Sequence, residues 1–210
     1  MDDIQTFPDK ITLTYGLLCL DFTDTLIWRL RDNPIEGFKD YSIFIRWGQK
    51  IGLLTETSAN YLLQEAKRRP LEAESVLRRT IELREALYRI IVASIEGHQP
   101  RKDDIYLLNT EISEMLQRTV LTYKQGNFEW AWHVSKNDLD QLLWPILHSA
   151  TGLLTTSELR RIGMCQGDGC GWLFYDNSRN QSRKWCDMGE CGNRAKARRF
   201  YKKTRSTRAT

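Results

Sequence analysis

Along residues 70–97 apolar side chains return every three or four positions. Leu77, Ile81, Leu87, Tyr88, Ile91 and Ile95 share one stripe with Arg84. That period predicts a long amphipathic helix, with Gly97 as its stop. The same spacing at Tyr41, Phe44, Ile45, Gly48 and Ile51 predicts a short helix over about 40–51. Thr55 can cap a further helix running to about Arg69, where Pro70 ends it. Upstream, GLLCLDFTDTLIWRL (Gly16–Leu30) reads as a short buried segment turning into a helix capped by Asp21 or Thr23, broken by Asn33-Pro34 and Gly37. Asp103 or Asp104 opens another helix, with Leu108, Ile112, Met115 and Leu116 inward. Over 119–134 the period changes to two. TVLTYK and FEWAWHV alternate around Gln125-Gly126-Asn127, as in a β-hairpin. Helix returns after Asn137-Asp138 on Leu139, Leu142, Leu143, Ile146, Leu147, Ala150 and Leu153, with a kink expected at Pro145. The body is therefore mainly α with a small β-hairpin.

Charge divides the chain. Eleven basic and two acidic residues lie from Arg179 onward, so that segment carries +9 of a net +4 and the first 178 residues carry −5. An acidic body with a strongly basic end implies a polyanionic partner for that end. The opening MDDIQTFPDK is acidic, without an apolar run of signal-peptide length, and no stretch approaches the roughly 20 apolar residues of a membrane helix. A cytoplasmic protein with no membrane partner is expected. No nucleophile–base pair, paired acids or HExxH element marks an enzyme.

Four of the five cysteines fall within 27 residues, as Cys165-x4-Cys170-x15-Cys186-x4-Cys191. Two pairs of thiols on two loops suit Zn²⁺, which takes four soft ligands tetrahedrally at about 2.3 Å. One structural zinc per chain is expected at Cys165, Cys170, Cys186 and Cys191; free or redox-paired thiols are the alternative. CQGDGC can wrap a metal, GWLFYD reads as a strand, DNSRNQSR as its turn, and the second pair abuts a helix-prone segment. Zinc knuckle, short strands and helix would make a C-terminal module over 161–210, after a body over 1–160. Cys19, alone in GLLCLDF, reads as core.

The run CGW-LFYD-SRN-SRKWC-M-ECGNRAKARR resembles the CGNR zinc finger, and LCLDFTDT (Leu18–Thr25) resembles the opening of the ABATE domain, with Asp24 where that pattern has Asn. The two resemblances span nearly the whole chain. They imply a bacterial stress-induced transcription regulator, four cysteine zinc ligands and DNA binding.

If the segment after Cys191 is helical, Arg194, Arg198 and Lys202 form one row and Lys196, Arg199 and Lys203 its neighbour. Phe200 is expected to pack back on the finger beside Trp172, Phe174 and Trp185. With Arg179, Arg183 and Lys184, these cations are the candidate DNA contacts, to phosphates and to guanine edges. A protein-interaction or RNA-binding module is the alternative, and a homodimer is compatible with the sequence. Trp130, Trp132 and Trp144 can line a pocket for a small-molecule effector or simply fill the core. Asp21, Thr25 and Arg29 read equally as a polar cluster or as caps and surface ion pairs.

Overall fold

The computed structural model describes residues 3–6, 17–134 and 138–208. Strand β1 (Asp3–Thr6) precedes helix α1 (Leu18–Thr23), every residue of which is buried. A six-residue helix has no stability of its own. Leu18, Cys19, Leu20 and Phe22 hold it by burial, each at 3% exposure or less, which is about 1.5–3 kcal/mol for a large apolar side chain. The helix therefore comprises the LCLDFT segment itself. It is capped by neither Asp21 nor Thr23, and it ends where the sequence suggested it should continue. Thr23 and Thr25 turn their hydroxyls back to the carbonyls of Leu20 and Phe22, and the chain leaves into two-residue strands β2 (Leu26–Ile27) and β3 (Ile35–Glu36).

Helix α2 (Tyr41–Lys50) starts at Asp40, whose carboxylate accepts from the Ile43 N–H. Helix α3 (Glu56–Arg68) starts at Thr55, whose hydroxyl accepts from the Ser58 N–H. Pro70 then occupies the first turn of α4 (Pro70–Ile95), where its missing N–H costs nothing. The buried stripe of α4 runs through Val76, Thr80, Leu83, Arg84, Leu87 and Ile91; Leu77 and Ile81 lie at its margin. Arg84 lies on this stripe at 1% exposure and pairs with Glu36 and Glu85, whose carboxylates reach the surface. Helix α5 (Lys102–Gln117) begins after Arg101 with no side-chain cap. Asp104 instead forms a two-oxygen ion pair with Arg89, which holds its carboxyl below the usual range. Leu116 is exposed, not inward.

Strands β4 (Thr119–Lys124) and β5 (Asn127–Val134) form the expected hairpin, turning at Gln125 and Gly126 with φ of 49° and 90°. β1 adds a third strand against β5, Asp3 opposite Val134. The helix expected after Asn137 begins later, as α6 (Leu143–Leu154); Asn137 itself lies outside the described residues. Pro145 falls in the first turn of α6 and no kink is needed. Trp132 and Trp144 are core, and Trp130 is half exposed. Trp132 lies edge-on to His148 of α6, and none of the three rings lines the cleft beside the C-terminal helix. Cys19 is core as expected, its thiol pushed up to about 11 by burial.

After a 3-10 turn at Ser157–Arg161, β6 (Ile162–Met164) pairs with β7 (Leu173–Tyr175). The partner of the expected GWLFYD strand thus lies ahead of the first cysteine. A π-helical turn (Met188–Gly192) leads into α7 (Asn193–Arg208). Among the described residues no helix is long and apolar enough to cross a membrane.

Candidate metal centre and basic helix

Cys165 leaves the end of β6, and its N–H bonds the Trp172 carbonyl at 2.8 Å, extending the β6–β7 ladder. Between them CQGDGC makes a tight knuckle closed by Cys170 N–H to Gly167 O at 2.9 Å. The second pair arrives from a loop held by Asp176. Its two carboxylate oxygens accept from the N–H groups of Ser178 and Arg183, each at 2.9 Å, and these donors hold the acid below the usual carboxylate range. Asp187 caps the turn carrying Cys191 through the Glu190 N–H at 2.6 Å.

The four buried thiols converge, with all Sγ atoms within 4.8 Å of one another. Cys186 Sγ lies 3.8 Å from both Cys170 Sγ and Cys191 Sγ, too far for disulfides. A Cβ on Gly167 would sit 2.9 Å from Cys191 Sγ and 3.3 Å from Cys165 Sγ, so only glycine lets the knuckle close around the sulfurs. Among bare thiols, S–H donation from Cys170 and Cys186 draws the Cys165 thiol down and pushes theirs up. A divalent soft cation among them lets all four ionise. Donor set, crowding and burial fit one structural Zn²⁺.

The centre is tied to the body. Arg29 and Leu30 donate their N–H groups to the carbonyls of Cys170 and Gly169 at 3.1 and 3.2 Å. Tyr88 donates to Gly171 O at 2.8 Å, and Trp172 Nε1 to Leu26 O at 2.8 Å. Gly169 and Gly171 have φ of +70° and +68°, and a Cβ on either would meet Arg31 Cγ at 2.5 Å or Leu30 Cγ at 2.6 Å. Asp24 Oδ1 accepts the Leu173 N–H at 2.9 Å, while Oδ2 is buried without a partner among the described residues. Burial pushes this carboxyl well above the usual carboxylate range, against the Leu173 N–H and Arg29, which favour its charged form. Asp24 therefore carries a polar role, as an acceptor for the finger's own strand. Arg29 pairs with Glu85 at 2.6 Å with its side chain 5% exposed, and Arg84 pairs with Glu36 while donating to Thr25. Asp21 is thus buried and Thr25 half-buried, and the Arg29 side chain, 5% exposed, is no surface ion pair.

The predicted cations separate on inspection. Arg194 turns back to Cys191, Nη2 at 3.1 Å from Sγ, and lies 4.3 Å over the Trp28 ring. Arg183 lies 4.7 Å over Phe174 and donates to the carbonyls of Trp185 and Cys186. Arg198 pairs with Asp168, and Arg199 lies 5.8 Å over Trp185. Arg179, Lys184 and Lys196 are exposed. The backbone of Lys202 and Lys203 continues α7; their side chains lie outside the described residues. Phe200 does not pack back: it is 68% exposed, as is Tyr201, their ring centroids 6.0 Å apart.

Arg194, Ala195, Arg198 and Arg199 turn toward the body across a cleft of about 390 Å³, whose other wall includes Trp28 and Arg31. Neither body residue was singled out from the sequence. The signal was present as WRLR, but its geometry depends on Trp28 adopting φ of 57°, a conformation that a helical reading conceals.

Against protein families, residues 16–157 match the ABATE model, described as "Putative stress-induced transcription regulator". The chain belongs to the ABATE family. Residues 161–204 match the CGNR zinc finger, so this ABATE protein carries its four-cysteine centre within that finger. No curated protein matches the chain. Neither family is described as an enzyme.

Proposed function

We propose that this ABATE protein is a zinc-dependent, DNA-binding transcription regulator of the bacterial cytoplasm, without catalytic activity, and that α7 is its nucleic-acid contact. One observation carries the reading: a helix with eight basic and no acidic residues after Gly192 starts directly from a ligand-bearing turn. A cationic helix fixed at its root by metal meets phosphates with little ordering cost. Lys196 and Arg199 on α7, with Arg179 and Lys184 on the finger loops, are the exposed contacts; Arg183 and Arg194 act by holding the finger together. In this reading 1–160 is the regulatory body and 161–210 the reader.

A second reading has a specific observation behind it. Phe200 and Tyr201 stand exposed among the cations, as stacking platforms for unpaired bases do. Competition decides between them: zinc-loaded protein on a labelled duplex is challenged with unlabelled duplex and with single-stranded RNA of equal length. Preferential displacement by duplex is expected. Preferential displacement by RNA, with Phe200→Ala and Tyr201→Ala losing affinity, would assign α7 to single strands.

A further inference from the structure

The cleft between the body and α7 concentrates charge in an unusual way. Its walls carry Arg31 from the body, Lys184 from the finger loop, and Arg194, Arg198 and Arg199 from α7, against one lining carboxylate, Asp168; Arg194 is partly balanced by Glu190 at 3.9 Å and by the Cys191 sulfur. Among the described residues no carboxylate lies within ion-pair distance of Arg31, Lys184 or Arg199. Like charges facing each other across a concavity repel and are stabilised by an anion between them. The guanidiniums are also ordered in advance. Arg31 and Arg194 lie 3.8 and 4.3 Å over the Trp28 ring, and Arg199 lies over Trp185. Trp28 is held in the left-handed region at φ 57°, a conformation that costs a bulky residue free energy and that persists because Arg29 and Leu30 are bonded to the knuckle.

We propose that this cleft binds a phosphate-bearing ligand, gripped jointly by Arg31 of the ABATE body and the arginines of α7. Several forked guanidiniums lining one cleft suit a tetrahedral, multiply charged anion better than a single carboxylate. The cavity, about 390 Å³, has room for more than one phosphoryl group. Asp168 occupies Arg198 until the ligand displaces it. The phosphate can belong to a free organic di- or triphosphate or to a nucleic-acid backbone entering the cleft. An occupant spanning both walls would set the position of α7 relative to the body. The site stands whether or not α7 reads DNA.

The test uses the zinc-loaded full chain, with pyrophosphate in one calorimetric arm and a mixed-sequence duplex in the other. Two variants pull in opposite directions. Arg31→Gln keeps the stem that packs on Gly169 but loses the fork; it should weaken binding about tenfold, as expected for one charge-assisted contact. Asp168→Asn releases Arg198 and should tighten binding. Saturable pyrophosphate binding with these two shifts supports the site with a free phosphate as occupant. The same shifts seen with the duplex alone support it with a backbone phosphate. If both ligands are indifferent to both variants, or neither ligand binds, the proposal is overturned. Duplex binding that ignores Arg31→Gln yet falls with Lys196→Ala would overturn the cleft while leaving the α7 reading intact.

Discussion

Arg194 and Cys191 lie one turn apart at the root of α7, and the guanidinium of the first touches the sulfur of the second at 3.1 Å. The Arg of the Cys-Gly-Asn-Arg run is thus a support for the metal centre as well as a member of the basic helix. Its donation stabilises the thiolate that zinc needs, and its second contact, over Trp28, fixes α7 to the body.

Replacing Arg194 with Gln should weaken zinc retention about 10- to 100-fold, the usual cost of losing a partner of a metal ligand. Competition with a chromophoric chelator measures this. Retention equal to the parent would show that the contact is incidental.

Asp24 gives a pH signature. Its folded pKa is raised by burial, so the folded state binds a proton more tightly than the unfolded chain. The stabilisation from that proton is complete below the unfolded carboxylate pKa, about 4, and is lost as pH rises through the folded value. Asp24→Asn keeps an acceptor for the Leu173 N–H and cannot ionise. The variant should be at least as stable as the parent at neutral pH, with a flatter dependence of stability on pH above about 4. Urea midpoints across pH read the difference; a destabilised Asn variant with the parent's pH profile would contradict the assignment.

Zinc removal should reach into the body, because five hydrogen bonds connect residues 169–173 to Asp24, Leu26, Arg29, Leu30 and Tyr88. Structural sites of this kind contribute about 10–16 kcal/mol of apparent binding energy at neutral pH. Chelation should therefore unfold the finger, leave the freed thiolates to take up protons from solvent, and lower the melting temperature of the helical body. Tyr88→Phe leaves the Gly171 carbonyl without its donor and should cost about 1–3 kcal/mol in the zinc-loaded protein. After chelation the same substitution should cost much less, since its partner is already gone. Equal losses in both states would mean that the body and the finger are not coupled through this contact.

Much of this architecture is legible along the chain because it rests on local signals. Thr55 caps a helix, Gln125-Gly126 turns a hairpin, and four clustered cysteines converge on one point. What escapes local reading is set by distant partners. Helix α1 stops at Thr23 because the following chain is bonded to the knuckle some 145 residues away, as Trp172 to Leu26 shows. Arg84 sits in an apolar stripe yet is buried by an ion pair with Glu36. Arg183 and Lys184 are adjacent and alike in sequence, but one stacks on Phe174 while the other faces the cleft. Charge counting cannot separate such neighbours. Phe200 misleads in the same way: helical spacing permits it to face the finger, and the finger's core is already filled by Phe174 and its neighbours Trp172 and Trp185.

The central claim is that α7, mounted on the metal centre, grips a nucleic-acid duplex by its phosphates. The most direct measurement is the affinity of the zinc-loaded chain for duplex DNA as a function of salt concentration. With about four to six cations engaged, log affinity should fall against log salt with a slope of roughly −4 to −5, and Lys196→Ala should flatten that slope by about one unit. A slope shallower than about −1 in the parent, or a steep slope that Lys196→Ala leaves unchanged, would contradict the account.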